Sequence, residues 1–152
     1  MRRVGGPVIC LAFIIIVCGA CRPPHGSRSS NLMLEVDLDA FSGVPNPHWN
    51  LSESQSSEFL ARFKSLKPAT GKITRNEGLG YRGFIITSHG DVSHELSEAR
   101  VYRGQVFVQR ADREEILSDP EFSLESWLLN TASGHVPESI LEMVRREISN
   151  RR

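Results

Sequence analysis

The chain has 152 residues, 18 of them Lys or Arg and 18 Asp or Glu, so its formal net charge is zero. Its apolar share of 39% and charged share of 24% are ordinary for a globular protein and exclude disordered and collagen-like classes. There is room for one domain rather than two, and the balanced charge offers no basic field for phosphates, which excludes nucleic acid as a main partner.

Residues 1–20 have the layout of a signal peptide. Arg2 and Arg3 form a short positive start, an uncharged run from Val4 to Ala20 comes next, and Gly19-Ala20 supplies small residues before a cut. All three cysteines, Cys10, Cys18 and Cys21, fall in the first 21 residues, so no disulfide can staple the remaining chain. Cleavage before Cys21 leaves one cysteine at the new first position, and a lone cysteine in an exported chain calls for an explanation.

The stretch Val17-Cys18-Gly19-Ala20-Cys21 resembles the lipobox of bacterial lipoproteins, departing from it in having Cys18 where Leu is usual. The resemblance implies a diacylglycerol on the Cys21 thiol, cleavage before Cys21 and usually a third chain on the new amino group. Two or three acyl chains, at about 0.8 kcal/mol per buried methylene, give stable anchoring. Residues 21–31 then read as lipid anchor and flexible tether, rich in Pro, Gly, Ser and Arg. The expected location is the bacterial cell envelope, at the outer membrane in a diderm cell. Plain secretion after a cut at Ala20 and an uncleaved anchor helix are the alternatives.

Residues 32–150 read as a single globular domain. Leu32, Leu34, Val36 and Leu38 alternate with Met33, Glu35, Asp37 and Asp39, a strand with one buried and one acidic face. Phe41 to Trp49, with Pro45 and Pro47, reads as a loop that breaks this ladder. Ser52 and Gln55 have capping-box spacing, and Phe59, Leu60, Phe63 and Leu66 recur with helical period, predicting a helix over Ser52–Leu66. A long loop is expected over 67–80 and a strand over 81–88, with a turn at His89-Gly90-Asp91. Short strands over 99–103 and 105–110 flank Arg103-Gly104 as a hairpin. Asp119-Pro120 is expected to open a helix with the proline at its first position and an apolar stripe of Phe122, Trp127 and Leu128. Gly134 closes that region, and Pro137 opens a last helix with Ile140, Leu141, Val144 and Ile148 inward. The pattern predicts an α+β fold: a mostly antiparallel sheet of about four strands, an amphipathic helix after the first strand, and two C-terminal helices packed on one face.

The string Phe41-Ser42-Gly43-Val44-Pro45-Asn46-Pro47-His48-Trp49 resembles a Phe-Ser-Gly-x-Pro-Asn-Pro-x-Trp segment of uncharacterised proteins, many of them exported. The later Gly80-Tyr81-Arg82-Gly83 also fits. That resemblance implies a shared domain and no mechanism. Two prolines stiffen the loop, which either presents Asn46, His48 and Trp49 as a binding surface or joins strand to helix with Trp49 capping the core.

The remaining constellations are weaker. His89-Gly90-Asp91-Val92-Ser93-His94 lacks metal-ligand spacing and would need His48, His135 or Asp39 to complete a site; it reads as a solvated turn. Asp37 and Asp39 share a strand face, as period two requires. Gly78-x-Gly80-x-x-Gly83 precedes a strand rather than coming after one, so it is no dinucleotide fingerprint. No catalytic residue, metal or cofactor is expected. The leading expectation is a membrane-anchored, non-enzymatic module that binds an envelope protein or a small ligand. A small hydrolase using His48 or His89 with Asp39 or Asp91, and a structural envelope component, are the alternatives.

Overall fold

The structure is a computed structural model and describes residues 33–70, 73, 79–89, 96–110 and 113–150. Residues 1–32, with the expected signal peptide, Cys21 and the expected tether, lie outside the described residues, as do Gly90 to His94. None of the helices among the described residues is long and apolar enough to cross a membrane.

The order of elements is β1 (Met33–Leu38), β2 (His48–Asn50), α1 (Glu53–Ser65), β3 (Lys67–Pro68), β4 (Phe84–His89), β5 (Glu98–Tyr102), β6 (Gln105–Gln109), β7 (Glu114–Ser118), α2 (Ser123–Thr131) and α3 (Glu138–Ser149). The strands form one antiparallel sheet in the order β2-β1-β4-β5-β6-β7-β3. The fold is therefore α+β with an antiparallel sheet and three helices, but the sheet has seven strands rather than about four.

The three additional strands have physical reasons for escaping a sequence pattern. β2 has three residues, too few to display a period. β3 contains Pro68, which is tolerated because the strand lies at the sheet edge. β7 reads Glu-Glu-Ile-Leu-Ser, with its two apolar residues adjacent rather than alternating; Leu117 is buried and Ile116 faces the other way, half-buried. One of these strands, β2, also separates β1 from α1. Because β2 and β3 occupy opposite edges, α1 must cross from one margin of the sheet to the other. At 1.5 Å per residue the helix is about 20 Å long, a large part of the width of a seven-stranded sheet with about 4.8 Å between strands.

Alternation assigns the two faces. Leu34, Val36 and Leu38 in β1, Phe84 and Ile86 in β4, Ala99 and Val101 in β5, and Val106 and Val108 in β6 are at most 1% exposed. They share a single core with Phe59 and Phe63 of α1, Leu124, Leu128 and Leu129 of α2, and Leu141, Val144 and Ile148 of α3. The intervening residues Glu35, Asp37, Ile85, Thr87, Arg100, Phe107 and Ile116 are half-buried and form the opposite, open face.

Local chemistry fixes the ends. The Ser52 Oγ accepts from the Gln55 N–H at 3.2 Å while the Gln55 Oε1 accepts from the Ser52 N–H at 2.9 Å, the reciprocal cap expected of this spacing. Arg103 and Gly104 both have positive φ, 51° and 66°, which gives the tight β5–β6 hairpin a twist matching its strands. α2 starts later than expected: Pro120 lies in a turn, Phe122 is left-handed at φ 54°, and the first helical residue is Ser123. Asp119 caps it nonetheless, accepting from the backbone N–H of Ser123 at 3.0 Å and of Leu124 at 2.8 Å.

Candidate functional site

Where β1 ends, the outward position is taken by Asp39, which is 6% exposed. Its backbone N–H donates to the Gly83 carbonyl at 3.0 Å and its own carbonyl accepts from the Arg82 N–H at 2.7 Å. The main chains of residues 39 and 82–83 therefore continue the β1–β4 pairing past the last formal pair, Leu38 with Phe84.

Gly83 is what lets this segment lie so close against β5. Its φ is +106°, and a Cβ there would stand 2.3 Å from the Val101 carbonyl oxygen and 2.9 Å from the Tyr102 Cβ. Beside this gap the Asp39 carboxylate gathers three side chains. Arg82 Nε donates to Oδ1 at 3.0 Å, joined there by Arg82 Nη2; Arg100 Nη1 donates to Oδ2 at 2.7 Å; and Asn46 Nδ2 donates to Oδ1 at 3.3 Å. Burial pushes the Asp39 carboxyl up, but the hydrogen bonds and charges of Arg82 and Arg100 outweigh it and hold the group below its ordinary value.

This hub fixes the Pro-Asn-Pro loop. The Asn46 Oδ1 accepts from the backbone N–H of Ala40 at 3.4 Å and of Phe41 at 3.3 Å. Arg82 Nη2 reaches the Phe41 carbonyl at 2.9 Å and Nη1 the Ser42 hydroxyl at 3.4 Å. The two strings singled out in the sequence, residues 41–49 and 80–83, are thus halves of one lock.

The three candidate binding residues of the loop are dispersed by it. Asn46 is half-buried and engaged on both ends of its amide. Trp49 is 3% exposed and faces the core; its Nε1 donates to Thr131 Oγ1 at 3.2 Å, and its ring stacks on His135 at 6.2 Å and meets the edge of Phe84 at 6.4 Å. His48 is exposed on the other side of β2, in register with Asp37.

The other described histidines, His89 and His135, lie apart from the loop's His48. His89 Nε2 lies 3.5 Å from Glu35 Oε2 on the open face, and exposed His135 sits between α2 and α3. Among the described residues no group of three or more His, Cys, Asp or Glu is placed to hold a metal. Asp37 and Asp39 do not work as a carboxylate pair, because Asp39 is bound to the arginines. Asp37 has its carboxyl raised by burial and then by the charge of Glu35, with His48 acting in the opposite sense.

The open face carries a cavity of about 370 Å³, lined among others by Arg82, Arg100, Glu98, Tyr102, Phe107 and Gln109. Register places Arg100 beside Phe107, and Glu98 beside Gln109. Tyr102 is itself buried; its ring lies 5.9 Å from that of Tyr81, and the Arg103 guanidinium stands 5.0 Å from its centre. Tyr81 points away from the cavity and donates its hydroxyl to Glu125 Oε1 at 2.7 Å.

Arg82 and Arg100 belong to no site motif in the sequence and become site residues only through the fold. The available signals were an arginine enclosed by glycines in Gly80-Tyr81-Arg82-Gly83 and another in the middle of a strand. The fold and this cluster define an α+β domain whose sheet is covered by helices on one face and carries a charged, aromatic cavity on the other. No family model, curated protein or solved structure matches the chain.

Proposed function

We propose that this chain is a lipid-anchored lipoprotein of a bacterial envelope and that its domain is a non-enzymatic binding module. Its binding surface is the open sheet face around Arg100 and Phe107. The observation that carries this reading is the cavity itself: an aromatic ring and charged side chains stand on the face of the sheet opposite the one on which the described helices pack. Convergent polar groups around an apolar surface are the usual makings of a ligand site.

The chemistry of the acid favours binding over hydrolysis. Asp39, the carboxylate a His/Asp hydrolase would use here, is held ionised by two guanidiniums and is a poor proton acceptor near neutral pH. Anchoring is supported by the lipobox-like run ending at Cys21 and by the tether that precedes β1.

Two measurements on the full chain expressed in a bacterium test the two halves. Wild type should incorporate radioactive palmitate and Cys21→Ser should not; labelling of the serine variant defeats the anchor. A photo-crosslinking residue at Phe107 should give adducts in living cells, whereas one at Met143, exposed on α3, should not. Equal adducts at both positions, or none at Phe107, defeat the open face as binding surface.

A further inference from the structure

Within the cavity, two opposite charges are kept from meeting. Glu98 and Arg100 lie two residues apart on β5 with side chains on the same face, a separation of about 7 Å along a strand. That is close enough for such long side chains to pair. Arg100 instead turns the other way, placing Nη1 2.7 Å from Asp39 Oδ2 and 3.4 Å from the Arg82 carbonyl. The pairing of Asp39 with Gly83, beside Tyr102, puts the acceptor on the far side of Arg100 from Glu98.

The consequence is a split pair. Glu98 is exposed and makes no ion pair with any described residue. The Nε and Nη2 of Arg100 donate to no described residue, and its side chain is 36% exposed. Beside them Phe107, the cross-strand neighbour of Arg100, adds its ring to the cavity lining, with Gln109 across from Glu98. The volume, about 370 Å³, is at the small end of ligand pockets, which run to ~1,000 Å³.

We propose that this cavity binds a small zwitterion, a free α-amino acid with an apolar side chain. Its carboxylate takes the unused edge of Arg100, its ammonium takes Glu98, and its side chain lies on Phe107. Asp39 acts as a positioning residue: by drawing Arg100 away from Glu98 it keeps both charges available, so the ligand replaces no existing ion pair. Fixed, opposite charges also discriminate, because a molecule lacking either end leaves one of them without its counterpart.

This assignment rests on the binding-module reading and is tested separately from it. The full-length protein in detergent is titrated calorimetrically with L-phenylalanine, with N-acetyl-L-phenylalanine, which lacks the ammonium, and with L-phenylalanine amide, which lacks the carboxylate. The zwitterion should bind at least tenfold more tightly than either blocked form. Glu98→Gln, an exposed change outside the Asp39 hub, should erase the preference for the free amine while leaving the preference for the free carboxylate. Arg100→Gln should do the reverse. Equal affinity for all three compounds, or no heat with any of them at millimolar concentration, overturns the zwitterion site. If crosslinking at Phe107 succeeds while no compound binds, only the ligand class falls; if both fail, the open face falls with it.

Discussion

Asp39 and Arg82 are joined twice, once through the main chain and once through the side chain: the Arg82 N–H donates to the Asp39 carbonyl at 2.7 Å while its guanidinium grips the Asp39 carboxylate. The double tie makes Asp39 both the last rung of the β1–β4 ladder and the counter-ion of the cavity. Asp39→Ala should therefore destabilise the domain by about 2–4 kcal/mol. That lies toward the low side of the ~3–5 kcal/mol for breaking a fully buried pair, since both guanidiniums keep part of their surface in water. The carboxyl's folded value lies below the ordinary 3.8, so its contribution is complete above that pH and is lost as pH falls through the lowered value. Urea midpoints for wild type and Asp39→Asn should converge below pH 3.8; a constant gap down to pH 2 would contradict this.

Gly83 and Gly43 make a controlled comparison. Both have positive φ, but a Cβ at Gly43 meets nothing within 4 Å, whereas at Gly83 it collides with the Val101 carbonyl. Gly43→Ala should cost about 1–2 kcal/mol, the left-handed penalty alone. Gly83→Ala should cost more than about 3 kcal/mol, because strain of ~1–3 kcal/mol is joined by a backbone clash. Similar thermal midpoints for the two variants would show that β4 and β5 can part without penalty.

Trp49 is anchored by packing and by one hydrogen bond, and the two can be separated. Thr131 Oγ1 accepts from the indole at 3.2 Å while donating to the Leu128 carbonyl at 2.7 Å. Trp49→Ala should cost on the order of 3–5 kcal/mol through lost packing. Thr131→Val should cost about 1–3 kcal/mol by leaving a buried N–H unpaired. In a double-mutant cycle Trp49→Phe and Thr131→Val should be less than additive; strict additivity would mean that the bond contributes nothing.

Glu125 should give the opposite pH dependence from Asp39. It is 1% exposed, and burial raises its carboxyl despite hydrogen bonds from Tyr81 and from the Gly104 N–H. A raised carboxyl contributes fully below its ordinary value of 4.5, and that contribution is lost as pH rises through the folded value. Stability should thus decline across this interval in wild type and decline less in Glu125→Gln, as read by denaturant midpoints every half pH unit. Parallel profiles would rule the group out.

Elements governed by neighbours in the chain were legible from the sequence. The Ser52–Gln55 cap, the β1 alternation, the Arg103-Gly104 turn and the inward Leu141, Val144 and Ile148 of α3 all depend on residues within a few positions of one another. The edge strands were not, because their place is fixed by what they pair with: Lys67 acquires strand geometry only from Ser118. The site was illegible for a stronger reason. Asp39 finds Arg82 and Arg100 through a sheet register that no local pattern encodes, so an aspartate that looked like one of two strand acids became the hub.

The passage of α1 from the β2 margin to the β3 margin has a kinetic consequence. The two shortest strands are consecutive in sequence, with α1 between them, yet belong to opposite ends of the pairing order, so Lys67 has no template until Ser118 has been added beside Gln105. Assembly is expected to start at the β5–β6 hairpin, whose contacts are local, and to end with closure by the segment containing α1. Such late, long-range closure slows folding relative to helical proteins of the same size. It also leaves Ile116 and Leu117 of β7 as an uncovered edge until the last step, which makes β7 the segment through which partly folded chains would adhere to one another.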